Sequence, residues 1–155
     1  MILINFKNYI FGEKALRLAK KIEKYLPNAI VAVANADIEL IKNKTDLKVY
    51  SEYIEHKKID KNAKGSLLNH SEHRISFNNI KKTIKRCNKI GLKLIVCAGS
   101  LSEARKIMKL KPYAIAFEDP KLVGTGKSIT KYRGKDVLKF SEMLKGSVIV
   151  PLCGA

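Results

Sequence analysis

Short apolar runs alternate with stretches of helical period along all 155 residues, and few folds satisfy that order. Ile2–Lys7 reads as a strand, and a helix from Glu13 to Leu26 would place Ala15, Leu18, Ala19, Ile22 and Leu26 on one face. Ala29–Ala34 is almost uninterrupted in its apolar character, as strands covered on both faces are. Asp37 then reads as the N-cap of a short helix reaching Asn43. Strands are predicted at Lys48–Ile54 and Ser66–Asn69, and a helix at Asn79–Ile90 with Ile80, Ile84 and Cys87 on one face and Gly91 as its stop. The remainder gives strands at Leu92–Ala98, Ala114–Glu118 and Val148–Cys153. Between them fall helices at Ser102–Lys109 and Lys135–Lys145, the second with Val137, Phe140, Ser141 and Leu144 inward. Seven strands alternating with helices specify an α/β fold with a parallel sheet, either doubly wound or a barrel. One crossover is weak: Glu55–Lys64 holds only Ile59 and Ala63 as apolar residues and suits no helix.

The charge narrows the function classes. There are 31 Lys+Arg against 14 Asp+Glu, a formal net charge of +17, which first suggests a nucleic-acid partner. Yet 26 of those cations are lysine and only 5 are arginine, whereas base and phosphate recognition favours arginine's planar fork. The lysines are also dispersed, with no block longer than a pair such as Lys20-Lys21. Both features argue against nucleic acid and for a solvated surface. A hydrophobic content of 46% supports the core of a single domain over residues 1–155. No apolar run approaches the roughly 18–20 residues of a membrane span, and Met1–Phe6 lacks the pattern of a signal peptide. Cys87, Cys97 and Cys153 are odd in number and form no C-x-x-C pair. A disulfide framework and a metal site are not expected, and a cytoplasmic location is.

In parallel β/α folds the reactive groups sit at the carboxyl ends of strands. Those positions hold Asn5 and Lys7, Asn69-His70-Ser71, Cys97-Ala98, Glu118, and Cys153-Gly154. A carboxylate base, a neutral imidazole and a fixed cation together suit proton abstraction beside a carbonyl. Taken singly, each has a plainer reading: Glu118 as a salt-bridged strand end, His70 as a structural cap, Lys7 as one lysine among many, Gly124-Thr125-Gly126 as a turn. Ser71–Arg74 reads as the opening of a helix, whose positive end would keep His70 neutral. The apolar run Ala114–Phe117 would bury Glu118 and so make it a stronger base. His56 and His73 read as surface residues, and the cysteines as core or strand-end residues.

Three stretches carry a resemblance: Asn5-Phe6-Lys7, Asn69-His70-Ser71-Glu72-His73-Arg74, and Glu118 through Gly126. In order and placement they resemble signatures of the triosephosphate isomerase family, most closely its short archaeal form, whose Leu-Cys-Gly-Ala run also stands at Leu152–Ala155. The resemblance implies a TIM-barrel (β/α) fold with parallel strands. It also implies interconversion of dihydroxyacetone phosphate and D-glyceraldehyde 3-phosphate through an enediolate, a step of glycolysis and gluconeogenesis, without metal or organic cofactor. It makes Glu118 the general base, His70 the electrophile and Lys7 the electrostatic group. Asn5, Lys7, Val123 and Gly124 become the substrate-binding residues, the last two through the backbone N–H groups of a mobile lid. The partner is then a small phosphorylated triose.

The chain also departs from the family. Asp119 stands where proline usually follows the base, a second carboxylate expected to strengthen Glu118 further or to disturb the lid hinge. Glu55–Lys64 replaces the usual subunit-contact loop and reduces the third crossover, so self-association through that loop is in question. About seven of eight β/α units are expected, leaving the domain incomplete at its C-terminal side. A truncated or inactive homologue that needs a further unit is therefore one alternative reading, and a basic nucleic-acid-binding module on the same fold is another.

Overall fold

The computed structural model describes residues 1–54 and 62–154, in two units, Met1–Leu67 and Leu68–Ala155. In the first unit, strands β1 (Leu3–Asn5), β2 (Ile30–Val33), β3 (Lys48–Ser51) and β4 (Gly65–Leu68, its last residue counted with the second unit) pair in sequence order and all in parallel. Parallel pairing forbids a hairpin, so each return runs through other structure. Helix α1 (Gly12–Tyr25) links β1 to β2, and a 3-10 turn (Asn35–Asp37) followed by α2 (Ile38–Lys44) links β2 to β3. Their apolar faces meet in one core with Ala15, Ala19, Ile22, Val31, Val33, Ile38, Ile41 and Val49.

Two expectations change here. The α1 face takes Leu16 in place of Leu26, because the helix ends at Tyr25 and Leu26 leaves helical geometry (φ −138°) and is 40% exposed. Asp37 does not cap its own helix. It is buried, and both carboxylate oxygens accept the backbone N–H of Gly12 at 3.1 Å, satisfying one of the orphan donors of α1. The weak crossover expected over Glu55–Lys64 lies mostly outside the described residues.

In the second unit β5 (Lys93–Ala98), β6 (Ala114–Glu118) and β7 (Val150–Gly154) are again parallel, with Ile95 opposite Ala114 and Glu118 opposite Gly154. Helices α3 (Phe77–Lys89), α4 (Leu101–Met108) and α5 (Ile129–Leu144) form the crossovers. Serine caps set two of their starts: Ser76 Oγ accepts Asn79 N–H, and Ser100 Oγ accepts Glu103 N–H. Segment 71–76 is therefore a turn, not the helix opening expected there, and α3 begins only at Phe77. Helix α5 starts six residues earlier than its periodicity indicates. Ile129, Thr130 and Gly134 are poor helix formers, and Arg133 breaks the helical geometry (φ −129°, ψ 27°), which hides the first turn. Along it Phe140 and Leu144 are buried, Val137 half-buried, and Ser141 exposed, contrary to expectation. Strand β7 starts at Val150, and Val148 before it is fully solvated.

The fold is thus the α/β, TIM-barrel (β/α) type, with seven strands among the described residues against the eight of a closed barrel. No described helix is long and apolar enough to cross a membrane.

Two outcomes follow from this packing. Asp37→Ala leaves the Gly12 N–H without its acceptor and is expected to lower unfolding free energy by about 1–3 kcal/mol in urea denaturation. Burial pushes the thiols of Cys87 and Cys97 up from their ordinary range, and Cys153 is exposed. Since the thiolate is the reacting form, iodoacetamide at neutral pH should label Cys153 in the folded chain and spare the other two, as read by peptide mass spectrometry.

Candidate active site

The second unit carries a cluster built from three consecutive strand ends. After β4 the chain turns at Asn69, a buried residue with φ +62°, a conformation asparagine tolerates better than most. Its side chain is fully used: Nδ2 donates to the Cys97 carbonyl (2.9 Å) and to Glu103 Oε1 (3.0 Å), and Oδ1 accepts Ile75 N–H (3.1 Å). Arg74 Nη1 donates to the Asn69 carbonyl (3.3 Å) and Nη2 to Glu103 Oε1. Glu103 Oε2 in turn accepts Gly99 N–H at 2.8 Å. These bonds fix where the next residue, His70, points.

His70 is buried. The Glu72 N–H donates to its Nδ1 at 3.3 Å, so in the neutral ring the proton sits on Nε2. The helix end expected to act on His70 is absent, since α3 begins only at Phe77. The Glu72 carboxylate stands 3.8 Å from Nδ1, beyond hydrogen-bond length.

Glu118, the last residue of β6, is 6% exposed. Its Oε2 lies 3.6 Å from His70 Nε2, and its Oε1 accepts Ser71 N–H at 2.6 Å. The buried Cys97 thiol, from the end of β5, is raised by burial first and then by the charge and hydrogen bond of Glu118. Cys97 thus serves as a hydrogen-bond donor to the Glu118 carboxylate. Ser71 Oγ is buried with no hydrogen-bond partner among the described residues.

Asp119, expected to add a second negative charge beside Glu118, is turned away into its own contacts. Lys121 N–H donates to Oδ1 at 2.9 Å and Arg133 Nη1 to Oδ2 at 2.6 Å, and the two, in that order, hold its carboxyl below the usual range. The loop that follows turns tightly on Asp119: its carbonyl accepts Leu122 N–H (2.8 Å) and Val123 N–H (3.2 Å). Gly124 and Gly126, at φ +76° and +71°, adopt left-handed geometry that side chains disfavour. In this conformation the Val123 N–H is engaged, and Gly124 is solvent-exposed.

The other sequence-derived residues belong to the first unit. Lys7 follows β1 at φ +54° and Asn8 at +49°, an uncommon left-handed pair for non-glycine residues. Lys7 N–H donates to Asn5 Oδ1 at 2.9 Å, while Asn5 Nδ2 is buried with no partner among the described residues. Of the expected residues, the structure therefore brings His70 and Glu118 together within one unit.

Glu103 and Arg133 were not among the expected site residues, and Asn69 was expected at a strand end without a role. A signal existed for Glu103, since Ser100-Leu101-Ser102-Glu103 has the S-x-x-E spacing of a capping box.

The sequence model of the family described as Triosephosphate isomerase matches residues 54–148. The triosephosphate isomerase of Saccharolobus solfataricus is 34% identical over an alignment covering all of this chain and 77% of that protein. That of Sulfurisphaera tokodaii is 31% identical, with 100% and 76% covered. That of Methanocaldococcus jannaschii is 30% identical, with 84% of this chain and 68% of the relative covered. Similarity of this extent, on a chain that sets a buried carboxylate beside a buried imidazole, means that the chain belongs to the triosephosphate isomerase family.

Proposed function

We propose that this chain interconverts dihydroxyacetone phosphate and D-glyceraldehyde 3-phosphate, with Glu118 as the general base and His70 as the electrophile. The observation that carries the reading is the 3.6 Å approach of Glu118 Oε2 to Nε2 of His70, both buried, with His70 Nδ1 already accepting the Glu72 N–H. A carboxylate there takes the proton from the carbon beside the carbonyl. The imidazole N–H meanwhile donates to the oxygen on which charge develops. The enediolate is reprotonated at the neighbouring carbon by the same carboxyl group, and the hydroxyl proton passes between the two oxygens through Nε2. Base and electrophile end the cycle as they began it.

Lys7 supplies the fixed positive charge for the substrate's phosphate and the enediolate. Asn5 offers its unpartnered Nδ2 donor to a substrate oxygen, since buried donors in folded chains are otherwise paired. Val123 and Gly124 grip phosphate through their N–H groups once the loop moves, which requires the Val123 bond to the Asp119 carbonyl to be released. The buried thiols suit a reducing cytoplasm.

Turnover of D-glyceraldehyde 3-phosphate by the chain and by Glu118→Gln tests the assignment. Removing the base while keeping the side chain's shape is expected to slow turnover by about 10²–10⁴-fold. Equal rates in the two proteins would overturn it.

A further inference from the structure

We propose that Arg133 is a positioning residue of this site, a latch that holds both neighbours of Glu118 and closes the base of the loop 119–128. The inference rests on the reading of Glu118 as the base. Arg133 Nη1 binds the carboxylate of Asp119, which follows Glu118, at 2.6 Å. The same guanidinium lies 5.9 Å from the ring centroid of Phe117, which precedes Glu118. Phe117 is itself stacked on Phe140 of α5, with ring centroids 5.4 Å apart. The other edge of the guanidinium is fixed by Asp136, through Nε at 2.8 Å and Nη2 at 2.7 Å. Arginine's rigid fork suits a grip on two carboxylates and an aromatic face at once.

The place of Arg133 in the chain gives the grip its effect. The loop leaves β6 at Asp119 and ends at Ile129, where α5 begins, and Arg133 lies one turn into that helix. It is also the one α5 residue with non-helical φ and ψ, so the helix bends where the guanidinium turns toward Asp119. The two ends of the loop are thereby tied through one side chain. Asp119 supports the tie from its side, because its remaining carboxylate oxygen and its carbonyl organise the first turn of the loop. Displacement of the loop base is therefore transmitted to Phe117 and Asp119, and the carboxylate between them moves with them.

Arg133→Met, Asp119→Asn, the double variant and Arg133→Lys test this, with two readouts. The first is nicking after the exposed residues Lys121 and Lys127 by lysyl endopeptidase, whose sites the methionine and asparagine changes leave intact. Each single variant is expected to speed nicking by about fivefold, as loss of a partly exposed ion pair allows. The double variant should add nothing further, and Arg133→Lys, with cleavage at its new lysine counted separately, should restore part of the protection after Lys121 and Lys127. The second readout is isomerase kinetics: kcat should fall by about tenfold from misplacement of the base, while KM changes by less than about twofold. Unchanged nicking in both single variants, or a double variant that multiplies the two effects, overturns the latch whatever the turnover. Faster nicking with kcat intact overturns the positioning role. A wild-type chain that does not turn over triose phosphate at all overturns instead the reading of Glu118 on which that role rests.

Discussion

A parallel strand cannot return to its neighbour through a tight turn, and this constraint organises both units of the chain. Each strand must hand over to a crossover at its carboxyl end, so those ends collect the irregular, polar residues that the strands themselves exclude. Val31, Val33, Leu94, Ile95, Val96 and Ile115 are fully buried in the strands. Asn5, Asn69, His70 and Glu118 stand where the strands stop or just beyond. Site chemistry is confined to those ends because an unpaired polar group within the sheet would be desolvated without a partner.

Within the second unit, side-chain hydrogen bonds tie the strand ends to one another. Asn69 ties the end of β4 to the Cys97 carbonyl on β5, and Glu103 of α4 gathers Asn69, Arg74 and Gly99 onto one carboxylate. A carboxylate with three donors is well satisfied, and its capping position on α4 makes it part of the helix start. The consequence reaches His70 through the backbone, since Asn69 and the 71–76 turn define both sides of the histidine. Two of the five arginines, Arg74 and Arg133, are engaged in these internal ion pairs. That use of arginine counts against a polyanion-binding surface and leaves the excess charge to dispersed lysines.

The alternation of strands and helices was readable because burial on both faces imposes uninterrupted apolar runs such as Ala29–Ala34, and β6 falls at the predicted Ala114–Glu118. Glu118 and His70 were readable from motif and strand position. What the periodicity did not carry was local polar geometry. Asp37 looks like a cap for the helix it precedes, yet it serves Gly12, 25 residues away, and no local pattern encodes that reach. Ser71–Arg74 looks helical, but Ser76 offers a better cap and moves the start of α3 to Phe77. The early turn of α5 was hidden for a related reason: Arg133 leaves helical geometry to meet Asp119, a contact invisible to any window shorter than the loop between them.

Two adjacent carboxylates at the end of one strand would ordinarily repel and compete for the same donors. Here successive residues take opposite sides of the chain, and the sides differ in chemistry. Glu118 meets the Ser71 N–H, the Cys97 thiol and the His70 imidazole, whereas Asp119 meets the Lys121 N–H and the Arg133 guanidinium. With Arg133 attached, the neighbour of Glu118 is an ion pair and not a bare charge, so its field falls off faster with distance. The depression of the Asp119 pKa fixes the sign of the pH dependence. The pair contributes fully above the ordinary carboxylate value and fades only as pH falls through the lower folded-state value. Across the neutral range in which a glutamate base works, the second carboxylate therefore stays ionised and paired, and Glu118 is left as the carboxylate that faces the imidazole.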